Sequence, residues 1–168
     1  AGGANASLQP WMPGRAPYTY ANAVERAQDI AIVNRLTVDE IHSIVKKFGD
    51  ASYNAKRAGF DGVQIHAVHE GYLLDQFAIA LFNNRTDAYG GSLENRLRFA
   101  KEIVEEIKSR CGQDFPVTMR YSPKSMMKDW RVGALPGEEF QEVGRDLDEG
   151  VQAAKLLVEY GYDALDVD

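Results

Sequence analysis

Segments with apolar residues at helical spacing alternate with short β-branched segments along most of the chain, and this alternation most restricts the possible folds. Capping residues and periodicity predict three amphipathic helices, between Thr37 and Gly59, between Ser92 and Gly112, and over 148–160. A short strand pattern follows each helix, at 62–66, 115–121 and 164–167. This order predicts an α/β fold in which a parallel sheet is joined by right-handed crossovers.

Three further features refine this prediction. No glycine-rich GxGxxG motif follows any of the strands, which weakens a Rossmann interpretation. The segment 122–146 contains prolines and glycines without a strong period, so we expect a long loop of the kind that is often functional or mobile. In the third helix, apolar spacing predicts that the buried residues are Val151, Ala154, Leu157 and Val158.

The chain has 168 residues, whereas a complete (β/α)8 barrel needs about 250. It begins with Ala1 and stops inside a strand pattern at Asp168. We therefore expect a fragment of a longer polypeptide, with 1–35 as an irregular loop and 36–168 as about three βα units. In the loop, Trp11 and Tyr18 or Tyr20 are expected to anchor the chain by burial, and lining of a ligand pocket is the alternative.

Charge and composition exclude several classes of function. The formal net charge of −6 argues against a nucleic-acid-binding surface. No apolar run approaches the roughly 18 residues of a membrane-spanning helix. A single cysteine, Cys111, excludes an internal disulfide framework and a cysteine-rich metal cluster in this segment. A cytoplasmic location is the default expectation.

Titratable side chains cluster directly after the first predicted strand. His66, His69, Glu70 and Tyr72 lie within seven positions, just past the carboxyl end of a short β-branched segment. Parallel α/β folds place their chemistry at this end of the sheet. Imidazoles can polarise a carbonyl oxygen near neutral pH, and a positioned phenol can act as a general acid.

Two long motifs carry a resemblance to a known family. The first is His-Ala-Val-His-Glu-Gly-Tyr-Leu-Leu-Asp-Gln-Phe, starting at His66, and the second is Asn-Arg-Thr-Asp-Ala-Tyr-Gly-Gly-Ser-Leu-Glu-Asn-Arg, ending at Arg96. Together they resemble the Old Yellow Enzyme family of FMN-dependent oxidoreductases. The extra Glu70 and the segments Gly133-Ala-Leu-Pro-Gly-Glu-Glu and Glu142-Val-Gly-Arg-Asp146 resemble its clostridial branch of 2-enoate reductases and bile-acid-inducible flavin oxidoreductases. The similarity runs from about Leu36 to Asp168.

The resemblance implies that the chain is a partial (β/α)8 TIM barrel, with only central βα units of an FMN-binding domain. It also implies an ene-reductase, in which NADH reduces FMN and hydride reaches the C=C bond of an α,β-unsaturated carbonyl or carboxylate. It assigns His66 and His69 to the substrate oxygen, Tyr72 to proton delivery and Arg120 to the reduced flavin. FAD and a 4Fe–4S cluster, which such proteins can carry further along, and the first and phosphate-binding strands are expected outside these residues. We expect the isolated segment to be inactive.

Other interpretations remain open from the residues alone. His66 and His69 could be ligands of a metal-dependent barrel hydrolase or lyase, or the chain could be a non-catalytic fragment. Tyr72 could be structural, because Glu70 shifts its position relative to His69, and Arg120 could be only an ion-pair partner. Arg96 stands off the apolar stripe of its helix and is expected to form a salt bridge that pins the 85–87 loop. Residues Tyr121, Lys124, Lys128, Asp129 and Trp130 are expected to be solvated or structural.

Overall fold

The computed structural model describes residue 28 and residues 31–68, 72–129 and 132–168. A 3₁₀ turn at Ile32–Arg35 precedes four helices, namely α1 (Val38–Arg57), α2 (Leu73–Ala78), α3 (Leu93–Cys111) and α4 (Leu147–Tyr160). The five strands are β1 (Val63–Ala67), β2 (Val117–Tyr121), β3 (Met127–Asp129), β4 (Val132–Gly133) and β5 (Ala164–Val167). Trp11, Tyr18, Tyr20, His69, Glu70 and Trp130 lie outside the described residues.

Helix α1 begins at a capping box. The Thr37 hydroxyl accepts a hydrogen bond from the Glu40 amide at 3.2 Å, and the Glu40 carboxylate accepts one from the Thr37 amide at 2.8 Å. These two bonds satisfy amide groups that the first helical turn leaves without partners. The helix buries Ile41, Val45 and Phe48 on one face, and His42 is exposed on the other side.

Replacing Thr37 with alanine should loosen the first turn of α1. Loss of the cap is expected to cost about 1 kcal/mol, because the Glu40 amide loses its acceptor. Native-state hydrogen exchange of the amides of residues 38–41 should then become roughly fivefold faster. A matched Ser43→Ala variant, in an exposed part of the same helix, should leave these rates unchanged. Equal rates in the wild type and the Thr37 variant would contradict a stabilising cap.

Three strands form a parallel sheet in the order β1-β2-β5. All five residues of β1 pair with β2, from Val63 with Val117 to Ala67 with Tyr121. Strand β5 pairs with the other edge of β2, from Thr118 with Ala164 to Tyr121 with Val167. Strands β1, β2 and β5 each follow a helix, so the expected helix–strand alternation is present. The short strand patterns correspond to real strands, with bounds shifted by one or two residues.

The two faces of this sheet differ in polarity. Ile65 on β1 and Val117 and Met119 on β2 are buried against the helices, where Phe99, Ile103, Val104 and Ile107 of α3 are all inaccessible to solvent. The intervening residues point to the other face, since side chains alternate along a strand. This second face carries His66 and Arg120, both partly exposed. The face opposite the one that packs on α3 therefore holds the polar groups.

The prediction for the buried face of α4 is wrong in part. Val151 and Val158 are 46% and 59% exposed, whereas Gly150, Ala153 and Leu157 are buried. The helix packs through its small residues because the preceding loop lies against it. A Cβ atom built on Gly150 would come 1.9 Å from the carbonyl oxygen of Pro123, so only glycine fits this contact.

The prediction for Arg96 is also wrong. Its side chain is 6% exposed rather than off the buried stripe, and its salt bridge goes to Glu149 of α4 at 2.6 Å, not to the 85–87 loop. The guanidinium also donates to the carbonyl oxygens of Ala78 and Gly91. Arg96 thus ties α3 to α4 and to the end of α2, in an interaction between helices that are distant in sequence.

The segment 122–146 is more ordered than the sequence predicts. Strands β3 and β4 pair as a short antiparallel hairpin, and Lys128 forms a salt bridge with Glu138 at 2.5 Å. At the base of the segment, the Ser125 amide donates to the Arg145 carbonyl oxygen at 2.9 Å. Its two ends are therefore held together where they join the sheet.

Candidate functional site

The polar ends of β1 and β2 meet at one edge of the sheet. His66 and Arg120 are register partners on these neighbouring parallel strands. Adjacent strands lie about 4.8 Å apart, and partners in register point to the same face. Both side chains therefore project from the polar face of the sheet near the carboxyl ends of the strands, where parallel α/β folds carry their chemistry.

Tyr72 joins this pair from the turn that follows β1. It is the N-cap residue of α2, and its ring lies edge-on to the imidazole of His66, with ring centroids 5.0 Å apart and planes at 79°. Two of the three residues predicted to be catalytic are therefore in contact. The third, His69, and the adjacent Glu70 lie outside the described residues, and their positions stay predictions.

The guanidinium of Arg120 forms a salt bridge with Asp168, which lies just past β5. The distance from Arg120 Nη2 to Asp168 Oδ2 is 2.6 Å, and both side chains are about two-fifths exposed. An exposed pair of this kind contributes little to stability. The ion pair that the sequence offers as the alternative role of Arg120 is therefore present. The guanidinium lies on the same face of the sheet as His66.

The second family motif is structural. Arg85 donates from Nη1 to the carbonyl oxygens of Val33 and Leu36, both at 2.6 Å, and its hydrogen bond to Asp87 lowers the pKa of that carboxyl group. A Cβ atom on Gly90 would lie 2.0 Å from the Arg85 carbonyl oxygen, so the turn closes only with glycine there. This loop fixes the chain around α2 and provides no group of the site.

Sequence reasoning missed Arg145. Its side chain is 2% exposed, with Nη1 donating to the Ser122 carbonyl oxygen at 2.7 Å and Nη2 3.8 Å from Asp75. The guanidinium also lies over the ring of Tyr121, 5.1 Å from its centroid. A charged residue directly before the N-cap Asp146 was the available signal, but burial depends on contacts with α2 and the end of β2.

Tyr121 is structural, as expected. Its hydroxyl donates to the Gly150 carbonyl oxygen at 2.6 Å, and burial raises the pKa of the phenol while the charge of Arg145 opposes that change. The hydrogen bond from the neutral phenol to the Gly150 backbone holds α4 against β2.

The described residues contain neither a metal-ligand cluster nor a membrane-spanning helix. Within 28, 31–68, 72–129 and 132–168, no group of three or more His, Cys, Asp or Glu side chains is arranged to hold a metal ion. In the same ranges, no helix combines the length and the apolar character needed to cross a membrane.

A family model described as the NADH:flavin oxidoreductase / NADH oxidase family matches residues 4–168. The chain belongs to this family. The match confirms the Old Yellow Enzyme resemblance and begins well before Leu36, where the sequence motifs placed its start. This earlier start extends the family assignment into the predicted loop at 1–35.

Two relatives illustrate the family relationship. A cinnamate reductase from Clostridium sporogenes is 68% identical over 133 residues, which cover 79% of this chain and 20% of the relative. An NADH oxidase from Thermoanaerobacter brockii is 39% identical over 165 residues, covering 98% of this chain and 22% of the relative. The first supports the clostridial branch of the family, and the chain spans about a fifth of the length of both.

Two solved structures share the fold. A 2-naphthoyl-CoA reductase in complex with 2-naphthoyl-CoA aligns with a TM-score of 0.65 and 29% identity, over 79% of this chain and 18% of that one. The Old Yellow Enzyme homologue from Zymomonas mobilis aligns with a TM-score of 0.58 and 34% identity, over 77% and 33%. These similarities confirm the predicted fold class, a partial TIM barrel.

Proposed function

We propose that the whole protein is an FMN-dependent ene-reductase that uses NADH to reduce the C=C bond of an α,β-unsaturated carbonyl or carboxylate. Family membership supports the cofactor and the reductant. The observation that carries the proposal is the register pairing of His66 with Arg120, which projects an imidazole and a guanidinium from the same face at the carboxyl end of the sheet.

The residues present fit a flavin. On the face that carries Arg120, Gln64 and Asp166 are also polar and exposed. A bound flavin would supply the hydride chemistry, and a guanidinium favours the charge that a reduced flavin carries near N1 and O2. Arg120 is thus the described residue proposed to hold the flavin.

His66 is proposed to donate an N–H to the oxygen that activates the alkene. Negative charge grows on that oxygen as the β-carbon is reduced, and a preorganised donor stabilises it. His69 is proposed as the second donor. Tyr72, in ring contact with His66, is proposed to deliver the proton to the α-carbon.

Two comparisons support an unsaturated small molecule as substrate. One relative is named for cinnamate and one structural neighbour for 2-naphthoyl-CoA, a carboxylate and a thioester that each carry an unsaturated group conjugated to a carbonyl group. A cytoplasmic location, and FAD and a 4Fe–4S cluster elsewhere in the protein, stay predictions.

Replacing Arg120 with methionine in the full-length protein tests the proposal. Removing a charged partner worth about 1.5–3 kcal/mol should make the two-electron flavin potential about 30–60 mV more negative. Spectroelectrochemical titration measures this shift, and Arg57→Met, in the exposed last turn of α1, is the control. A purified protein that contains no flavin would refute the function, while an unchanged potential would remove Arg120 from the cofactor site.

A further inference from the structure

The position of Tyr72 depends on helix α2, which is too short to fix its own position. The helix has six residues, Leu73–Ala78, and all of them are buried. Isolated helices of this length are unstable in water, because nucleating a helix costs more free energy than a few hydrogen bonds return. The Tyr72 carbonyl oxygen accepts a hydrogen bond from the Gln76 amide at 2.9 Å, so Tyr72 moves with the helix. Its contact with His66 therefore depends on the groups that hold α2 from outside.

Two hydrogen bonds hold the carboxyl-terminal half of α2. Arg96 of α3 donates a hydrogen bond to the Ala78 carbonyl oxygen. The side-chain oxygen of Gln76 accepts a buried hydrogen bond from the Val33 amide at 3.2 Å. Both bonds act on the half of the helix that is farther from Tyr72, so they leave the first turn to be fixed by other contacts.

A buried ion pair holds the first turn of α2. The Asp75 carboxylate lies 3.8 Å from Nη2 of Arg145, and the two side chains are 5% and 2% exposed. A charge in the protein interior is costly unless an opposite charge accompanies it. Movement of α2 away from Arg145 would separate two buried opposite charges. Asp75 lies three residues after Tyr72, so this pair constrains the helical turn that begins at Tyr72.

Arg145 is itself fixed to strand β2. Its Nη1 atom donates to the Ser122 carbonyl oxygen at 2.7 Å, and its guanidinium lies 5.1 Å from the centroid of the Tyr121 ring. Its backbone carbonyl oxygen accepts from the Ser125 amide and its amide donates to the Ser125 hydroxyl, both at 2.9 Å. Arg145 therefore ties the first turn of α2 to the carboxyl end of the strand that carries Arg120.

We propose that Arg145 is a positioning residue, which holds Asp75 and the first turn of α2 so that Tyr72 stays beside His66. The inference rests on the proposed function, in which Tyr72 delivers the proton. Proton transfer needs hydrogen-bond distance, and a displacement of about 1 Å at a reacting group can cost about 10²-fold in rate. Arg145 acts only through Asp75, so its loss slows the step with the substrate and not the step with NADH.

The test uses full-length holoprotein in rapid-mixing experiments, with whichever of cinnamate and cinnamaldehyde the wild type reduces faster as the probe. The variant is Asp75→Asn/Arg145→Met, which removes both charges together and leaves no unpaired charge in the interior. Reoxidation of its reduced flavin by the probe should slow at least about tenfold. Reduction by NADH should stay within about twofold of the wild type. Reoxidation by ferricyanide, which takes electrons without a carbon to protonate, should do the same.

Two further variants separate positioning from a general loss of packing. Tyr72→Phe added to Asp75→Asn/Arg145→Met should be no slower than Tyr72→Phe alone, because both changes act on the same proton donor. The matched control is Lys108→Met. It breaks the ion pair of a buried lysine with Asp163, 2.7 Å apart, which lies at the opposite ends of the strands. This control should reoxidise with the probe at the wild-type rate.

The outcomes distinguish the inference from the function on which it rests. A wild-type protein without flavin, or one whose reduced flavin neither probe reoxidises, refutes the proposed function. With wild-type turnover present, the function stands and the positioning role is overturned by any of three results. These are an unchanged rate in Tyr72→Phe or in the double variant, additive losses in the triple variant, and an equal loss in Lys108→Met. Loss of flavin from the double variant, or equal slowing with probe and ferricyanide, would also overturn it, because the cofactor site would then be disturbed.

Discussion

His66→Ala should lower kcat/KM for an unsaturated carbonyl substrate by about 10²–10³-fold, the typical cost of removing one preorganised donor from a developing oxyanion. The imidazole projects from the same sheet face as Arg120 and contacts the Tyr72 ring, so the substitution removes the central group of the site. The side chain is only partly buried, and the loss should therefore affect catalysis more than folding.

Rapid mixing separates the two halves of the reaction. We expect His66→Ala to retain its flavin and its rate of reduction by NADH, while reoxidation by the substrate slows by the stated factor. His42→Ala, an exposed histidine on α1, is the matched control and should behave as the wild type. A variant that slows only the step with NADH would contradict the role given to His66.

Arg96→Met should destabilise the packing of α3 on α4 by about 3 kcal/mol, the lower end of the cost of breaking a buried ion pair. The substitution leaves Glu149 without its partner and the carbonyl oxygens of Ala78 and Gly91 without their donor. Native-state hydrogen exchange of the amides of α3 and α4 in the full-length protein would report this as faster opening by about two orders of magnitude.

Arg98→Met provides the control for this substitution. Arg98 lies two positions further along α3, is less buried, and bonds to the Ala88 carbonyl oxygen and the Asn95 side chain near its own end of the helix. We expect its effect on the exchange of α4 to be small. If both variants changed α4 equally, the Arg96–Glu149 pair would not be what joins the two helices.

Local signals in the sequence predicted the elements that depend on local interactions. Thr37 and Ser92 do cap helices, and the β-branched segments at 63–67, 117–121 and 164–167 are strands. These features follow from hydrogen bonds and periodicities within a few residues, which a single sequence displays.

Contacts between distant segments were not predictable in the same way. Val151 and Val158 match a helical stripe, yet α4 buries Gly150 and Ala153, and the Pro123 backbone lies directly against Gly150. Arg145 is buried because α2 and β2 surround it, and nothing in its own segment indicates that. For the site, the motif predicted that His66 and Tyr72 lie together, and the structure has them in contact, while the position of His69 stays a prediction.

The hydrogen bond from the Ser125 amide to the Arg145 carbonyl oxygen lets the 122–146 segment vary without disturbing the sheet. Because it closes the base of the 122–146 segment, chain inserted or removed beyond it adds only a small loop-closure entropy and leaves β2 and α4 in place. The hairpin can then become longer, shorter or differently charged during evolution, while the pairing of the parallel strands stays the same. Differences in ligand preference among such proteins would then be concentrated in this segment, at only a small cost in the free energy of folding.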